Sequence, residues 1–157
     1  MERQLSAFLG GGQFRQILEN YVKGLKAKYG INRTGIEIIY YLSRCGEDNT
    51  GKDIASSLGK NKGLVSQSTE FLCEKGYLNA QRDEKDYRVV HYTITENARI
   101  LTGEIEETID RFEKALFKGV TPEEEEMFNR TIERMISNIK HLNTGGEGKT
   151  EEKGKSE

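Results

Sequence analysis

Apolar positions recur every three or four residues along most of the chain and every second residue over one short stretch. This predicts a helical fold carrying a single β-hairpin. Phe14, Ile17, Leu18, Tyr21, Val22 and Leu25 mark a helix over residues 13–29, stopped by Gly30. Asn32 or Thr34 can cap the next helix, whose apolar residues are Ile36, Ile38, Ile39, Tyr40 and Leu42. After the polar turn Gly46–Asn49, Thr50 opens a short helix, and Asp53 completes a capping-box pair with it. Ile54, Ala55 and Leu58 form its inner face, and Gly59 stops it. A further helix runs from about Lys62 to Lys75, with Val65, Thr69 and Leu72 on one face, Phe71 beside them and Gly76 at the end.

Residues 77–81 and 89–94 then alternate as two strands around the charged turn 83–86. Thr95 and Glu96 are expected to cap a long helix with Ile100, Leu101, Ile105, Ile109, Phe112 and Leu116 on its inner face. Thr121-Pro122-Glu123-Glu124 starts a last helix: a capping Thr, Pro in the first turn, then acids. Met127, Phe128, Ile132, Met135, Ile136, Ile139 and Leu142 line it. From Thr144 to Glu157 there is no apolar residue, and this tail is expected to be disordered.

Composition sharpens the picture. The chain has 157 residues, 34% hydrophobic and 32% charged, which suits a highly charged helical protein whose core a partner chain can complete. No apolar run approaches the length of a membrane span, and the start Met1-Glu2-Arg3-Gln4-Leu5 lacks a signal-peptide core, so a cytoplasmic location is expected. The net charge of −2 looks unfavourable for a nucleic-acid binder, but its distribution is uneven. Residues 1–49 sum to +2, residues 50–99 to +1 and residues 100–157 to −5.

Cys45 and Cys73 have no metal-site spacing with His91 or His141, so neither a metal nor a cofactor is expected, and the thiols read as half-buried in a reducing compartment. Residues 46–53 nearly spell a phosphate-binding loop. Asp53 stands in the Ser/Thr position, however, Glu47 and Asp48 would repel phosphate, and a helix precedes where a strand is needed. No nucleophile motif is present, the Glu-rich runs read as solvated helix faces, and no enzyme is expected.

The segment 50–75 has the proportions of a helix-turn-helix. Its second helix buries Val65, Thr69 and Leu72, which leaves Asn61, Lys62, Ser66, Gln67 and Glu70 outside. Gln and Ser suit base edges in the major groove, and Lys60 and Lys62 lie near a helix N-terminus that favours phosphate. The hairpin that follows carries Arg82, Lys85 and Arg88, able to follow the phosphate backbone or enter a minor groove. Three acids interrupt these cations. Asp86 can orient Arg88 across the turn, whereas Asp83 and Glu84 have no role beyond solvating the tip.

Four pieces in order, Ile54-Ala55-Ser56-Ser57-Leu58-Gly59, Leu72-Cys73-Glu74-Lys75-Gly76-Tyr77-Leu78, Asp86-Tyr87-Arg88 and Ile94-Thr95, resemble landmarks of the MarR family of winged-helix regulators. The resemblance covers about residues 13–142. It implies a mainly α (α+β) fold: an N-terminal dimerisation helix over 1–30, a winged helix-turn-helix over 31–95 and C-terminal dimerisation helices over 96–143, with the tail at 144–157. It further implies a homodimer on double-stranded DNA, base reading around Ser66 and Gln67, minor-groove contact by Arg88, wing support by Asp86, and a ligand-responsive repressor. Ala98 and Ala80 stand where the family often has Gly and Arg, which leaves Arg82 as the substitute support for Asp86. No Cys precedes Cys45, so peroxide sensing through the first helix is not expected.

A small-molecule effector would sit between the dimerisation and DNA-binding parts, where Phe14, Tyr40 and Tyr41 can line a crevice; the commoner role of such residues is core. The outer helices are apolar enough to intertwine with a second copy across a two-fold axis, which would set two recognition helices about 34 Å apart on a near-palindromic site. The competing reading is a winged-helix protein-interaction module without sequence-specific DNA binding.

Overall fold

Helix boundaries fall where the chain supplies caps. The computed structural model describes residues 12–144, apart from the side chains of Gln13 and of residues 140–144. The tail beyond Thr144 and the glycines before Gly12 lie outside the described residues, as does the side chain of Leu142. Helix α1 spans Gly12–Tyr29 and α2 spans Arg33–Leu42. Of the two candidate caps for α2 it is Asn32 that serves, its side-chain oxygen accepting the Gly35 N–H at 2.9 Å. Helix α3, Gly51–Leu58, starts with the expected reciprocal box: Thr50 accepts the Asp53 N–H, and Asp53 accepts the Thr50 N–H. Gly59 closes it at φ +59, a left-handed conformation that glycine adopts without a Cβ clash.

Helix α4, Lys62–Glu74, precedes strands β1, Leu78–Arg82, and β2, Val90–Ile94. The strands form one antiparallel hairpin in the register Leu78 opposite Ile94 and Arg82 opposite Val90, one residue later than alternation predicts at each strand start. Helix α5 spans Arg99–Leu116 and α6 spans Pro122–Thr144.

The packing divides into two compact units, separated between Ala115 and Leu116. In the first, Val22 and Leu25 of α1, Ile36, Ile38 and Ile39 of α2, Ile54 of α3, Val65 and Leu72 of α4, Leu78 of β1, and Leu101 and Ile105 of α5 form one continuous buried core. Tyr92 and Ile94 of β2, partly buried, pack against it, so the short helices and the two-stranded hairpin, marginal alone, are held by tertiary burial. Ala55, nearly buried, keeps α3 thin where α4 lies against it.

Three expectations need correction. Thr95 makes no cap bond; its hydroxyl donates to the Gly76 carbonyl at 2.6 Å and ties the end of β2 to the turn after α4. A single 3-10 turn, Glu96–Ala98, then leads into α5. Ile100 is not on the inner face but 73% exposed, because the buried row is Leu101, Ile105, Thr108 and Phe112, and adjacent helical residues point about 100° apart. Leu116, at the end of α5, is also exposed.

In the second unit, Thr121 and Glu124 form a further capping box at the start of α6: the Thr121 N–H donates to Glu124 Oε2 at 2.8 Å and the Glu124 N–H to Thr121 Oγ1 at 3.3 Å. The apolar row of α6 is largely uncovered, with Met127 at 63% and Ile139 at 54% exposure and Phe128 and Ile136 also exposed. Phe128 meets Phe117 edge to face at 5.8 Å between ring centroids.

Candidate nucleic-acid interface

Helix α4 is anchored on one side and free on the other. Val65, Ser68, Thr69 and Leu72 are buried. The Thr69 hydroxyl is satisfied inside by the carbonyls of Val65 and Ser66, both at 3.0 Å, so a polar residue can occupy the packed face. Lys62, Ser66, Gln67 and Glu70 are exposed along the opposite face, as the sequence pattern predicts. Asn61 is exposed as well, but its side-chain oxygen is engaged as the helix cap, accepting the Leu64 N–H at 2.8 Å, which leaves its NH2 group for an outside contact.

Lys60 has a different partner. Its ammonium lies 2.7 Å from Glu37 Oε2 of α2, with both side chains only 21% exposed, while Arg33 Nε donates to Glu37 Oε1 at 2.7 Å. The turn between α3 and α4 is thereby tied to α2, and Lys60 is drawn out of the row of outward cations.

The hairpin tip is organised by its acids. Asp83 Oδ1 accepts the N–H groups of both Lys85 and Asp86 at 2.8 Å, and the Asp83 N–H donates to the Val89 carbonyl at 3.0 Å. Those N–H donors hold the Asp83 carboxyl below its ordinary value, with His91 adding to the effect. Asp83 thus shapes the turn, a structural role beyond solvation of the tip. Its signal was in the sequence, since Asp at the head of a tight turn accepts N–H groups two and three residues on.

Asp86 meets Arg88 only at the backbone among the described residues: Asp86 Oδ1 accepts the Arg88 N–H at 3.0 Å. Among the described residues it makes no ion pair with Arg88 or Arg82, so Arg82 does not replace the absent family arginine as its support. Glu84, exposed, makes no side-chain hydrogen bond or ion pair among the described residues. Arg82, Lys85 and Arg88 are all exposed, and Tyr87 at the tip is 71% exposed.

Between α4 and the hairpin lies an open cleft of about 530 Å³. Lys62 and Ser66 line it from α4, Arg88 from the hairpin and Lys52 from the first turn of α3. The fold therefore gathers Lys62, Ser66 and Arg88 on one concave surface and adds Lys52, which the spacing of residues along the chain does not single out. Gln67, Arg82 and Lys85 lie outside that lining, on the exposed surfaces of the same two elements.

Tyr40 lines two further cavities. One, of about 330 Å³, also involves Tyr41, Arg44, Cys45 and Glu37; the other, of about 190 Å³, involves Ile36, Ile109 and Phe112. Phe14 lines neither but packs edge to face on Phe112 at 5.3 Å between centroids. Burial raises the Tyr40 hydroxyl and both cysteine thiols above their ordinary values, which disfavours reactive thiolates at Cys45 and Cys73. Among the described residues no group of three or more His, Cys, Asp or Glu is gathered as a metal site, and no helix is long and apolar enough to cross a membrane.

Comparison with known proteins agrees with this geometry. Residues 20–105, more than half of the chain, match the family described as transcriptional regulator SarA/Rot. The transcriptional regulator AdcR of Streptococcus pneumoniae is 26% identical over 118 residues, which cover 73% of this chain and 79% of AdcR. A MarR/EmrR family transcriptional regulator from Acinetobacter sp. ADP1 shares the fold with a TM-score of 0.75 at 21% identity, over 89% of this chain and 97% of that one. MepR of S. aureus, solved as a DNA complex, shares it with a TM-score of 0.53 at 20% identity, over 82% and 96% of the two chains. The mostly helical fold with one antiparallel hairpin is that of the MarR winged-helix proteins, and the chain belongs to the SarA/Rot family of transcriptional regulators.

Proposed function

We propose that the protein binds double-stranded DNA sequence-specifically as a homodimer on a near-palindromic operator, most simply as a ligand-responsive repressor, in the cytoplasm and without catalytic activity. The observation that carries this reading is the pairing of an outward polar row on α4 with a cation-bearing hairpin across one cleft. In this reading Ser66, Gln67 and the NH2 group of Asn61 meet base edges in the major groove. Lys52, Lys62, Arg82, Lys85 and Arg88 meet phosphates or the adjoining minor groove, and Asp86 holds Arg88 in place. Lys60 acts from behind, by fixing the turn through Glu37.

Dimerisation is assigned to residues 1–30 and 96–143, flanking the DNA-binding part at 31–95. The exposed Met127, Ile136 and Ile139 of α6 and the exposed Ile17 of α1 support it, since scattered apolar residues need no partner but a helical row does. An effector is assigned to the two cavities that Tyr40 lines, Tyr41 lining the larger and Phe14 supporting the wall of the smaller through Phe112. Such a ligand acts only through a difference in affinity between two spacings of the recognition helices.

The test is selection of bound duplexes from a random pool, with mass by light scattering. Enrichment of two inverted half-sites by a dimer is expected. No enrichment, or a monomer at micromolar concentration, would overturn the reading; binding to a protein surface in place of DNA would favour an interaction module.

A further inference from the structure

The turn end of the hairpin ladder carries an arrangement that groove recognition does not use. His91, the second residue of β2, lies opposite Gln81 of β1. Its Nδ1 is 2.6 Å from Asn49 Oδ1, in the loop before α3, and its Nε2 is 3.3 Å from Asp83 Oδ2 at the hairpin tip. Both ring nitrogens therefore face oxygen. A neutral imidazole has one N–H and one lone pair, so it donates to one of these oxygens and repels the other; an imidazolium donates to both.

The two partners belong to different parts of the interface. Asp83 is the acid whose other oxygen holds the Lys85 and Asp86 N–H groups, and so the shape of the tip. Asn49 leads into α3: its carbonyl accepts the Tyr92 N–H at 3.0 Å, and its neighbour Thr50 bridges to His91. The ring thus spans from the hairpin tip to the foot of the helix-turn-helix. Asp53, in the first turn of α3, also faces it electrostatically, while its own carboxylate is bonded by Thr50. The groups around the ring are then Asp83 from the hairpin, Asp53 from α3, and the neutral Asn49 and Gln81.

We propose that His91 is a positioning residue for the hairpin, which in its doubly protonated form latches Asp83 to Asn49, so that DNA binding strengthens when the ring takes up its second proton. The sign follows from the partners. Asp83 is held below the ordinary carboxylate value, so it is anionic when the ring takes up its second proton. Protonation completes two contacts and fixes the tip that presents Arg88; deprotonation releases one of them.

The inference rests on the DNA-binding reading of the hairpin, and its test separates the two. Duplex affinity of the full chain is measured at constant salt between about pH 5.5 and 8, for wild type, His91→Gln and His141→Gln, His141 being the only other histidine. Wild type and His141→Gln are expected to bind about two- to fivefold more tightly per hairpin at the acid end, and His91→Gln to lack that increment. In parallel, ring-nitrogen and amide NMR of the free wild-type protein should show the Lys85, Asp86 and Arg88 amides moving together with the His91 ring. This arm does not depend on the variant folding.

An equal pH response in wild type and His91→Gln overturns the latch. So does a ring that titrates while those amides stay fixed, the behaviour expected if Asn49 presents its NH2 to a neutral ring. Absence of duplex binding at every pH, with the NMR response as expected, supports the latch and overturns the DNA-binding reading instead.

Discussion

Replacing Arg88 by Ala and, separately, Lys60 by Ala should produce opposite results in one assay. Lys52, Lys62, Arg82, Lys85 and Arg88 are exposed and make no ion pair among the described residues, whereas Lys60 is paired with Glu37. Five outward cations per protomer give a dimer at most ten phosphate contacts, and each contact contributes about −0.9 to the slope of log affinity against log salt, for a limiting slope of about −9. Arg88→Ala removes two contacts per dimer and should make the slope shallower by about 1.8. Between 50 and 200 mM salt the wild-type advantage over the variant should then shrink about twelvefold. Lys60→Ala should leave the slope unchanged.

Its cost should appear in stability. Glu37 Oε2, shielded from solvent, loses the ammonium 2.7 Å away, and the protein should lose about 1–3 kcal/mol by urea denaturation. Fluorescence anisotropy with a labelled operator duplex, at a temperature well below unfolding, measures the slopes. A Lys60→Ala slope that falls as far as that of Arg88→Ala would refute the division between outward and tethered cations. So would an unchanged slope for Arg88→Ala.

Further outcomes follow from the same geometry. Gln67→Ala should relax base preference at one operator position by about 1–3 kcal/mol while leaving the salt slope intact, read from affinities for a set of singly substituted duplexes. Leu72→Ala, at a site with no solvent exposure, should destabilise the fold by about 2–5 kcal/mol in urea melts. Ile136→Glu, in the uncovered row of α6, should shift the protein to monomer by light scattering without unfolding the first unit. The depressed Asp83 carboxyl contributes order to the hairpin tip that is fully present above its ordinary value of 3.8 and is lost as pH falls through its lower folded value; the Lys85 and Asp86 amides should report that loss by NMR at strongly acid pH.

Much of the fold was legible because local signals and burial agree. Thr50 with Asp53, Gly59, and the row Val65–Thr69–Leu72 each state their structural role in residue type and spacing, and the structure places each accordingly. Ile100 misled because a one-residue offset within a helix turns a side chain from core to solvent, and hydrophobicity does not record that offset. Thr95 misled because a strand end competed for its hydroxyl: the Gly76 carbonyl, nineteen residues earlier in the chain, is a tertiary partner invisible to a local pattern.

The interface was read in the same uneven way. The outward face of α4 follows from its inward face, so Ser66 and Gln67 were accessible to inference. The pairing of Lys60 with Glu37, the presence of Lys52 in the cleft and the reach of His91 to both Asn49 and Asp83 depend on how separate elements meet, and no spacing along the chain encodes them.

Methylation interference on the selected operator addresses the groove assignment directly. Methyl groups at guanine N7, in the major groove, should block binding at two half-site centres about one helical turn apart, and methyl groups at adenine N3, in the minor groove, should block it only on the outer flanks where the hairpins lie. Interference confined to the minor groove, or the absence of a two-fold pattern, would contradict insertion of α4.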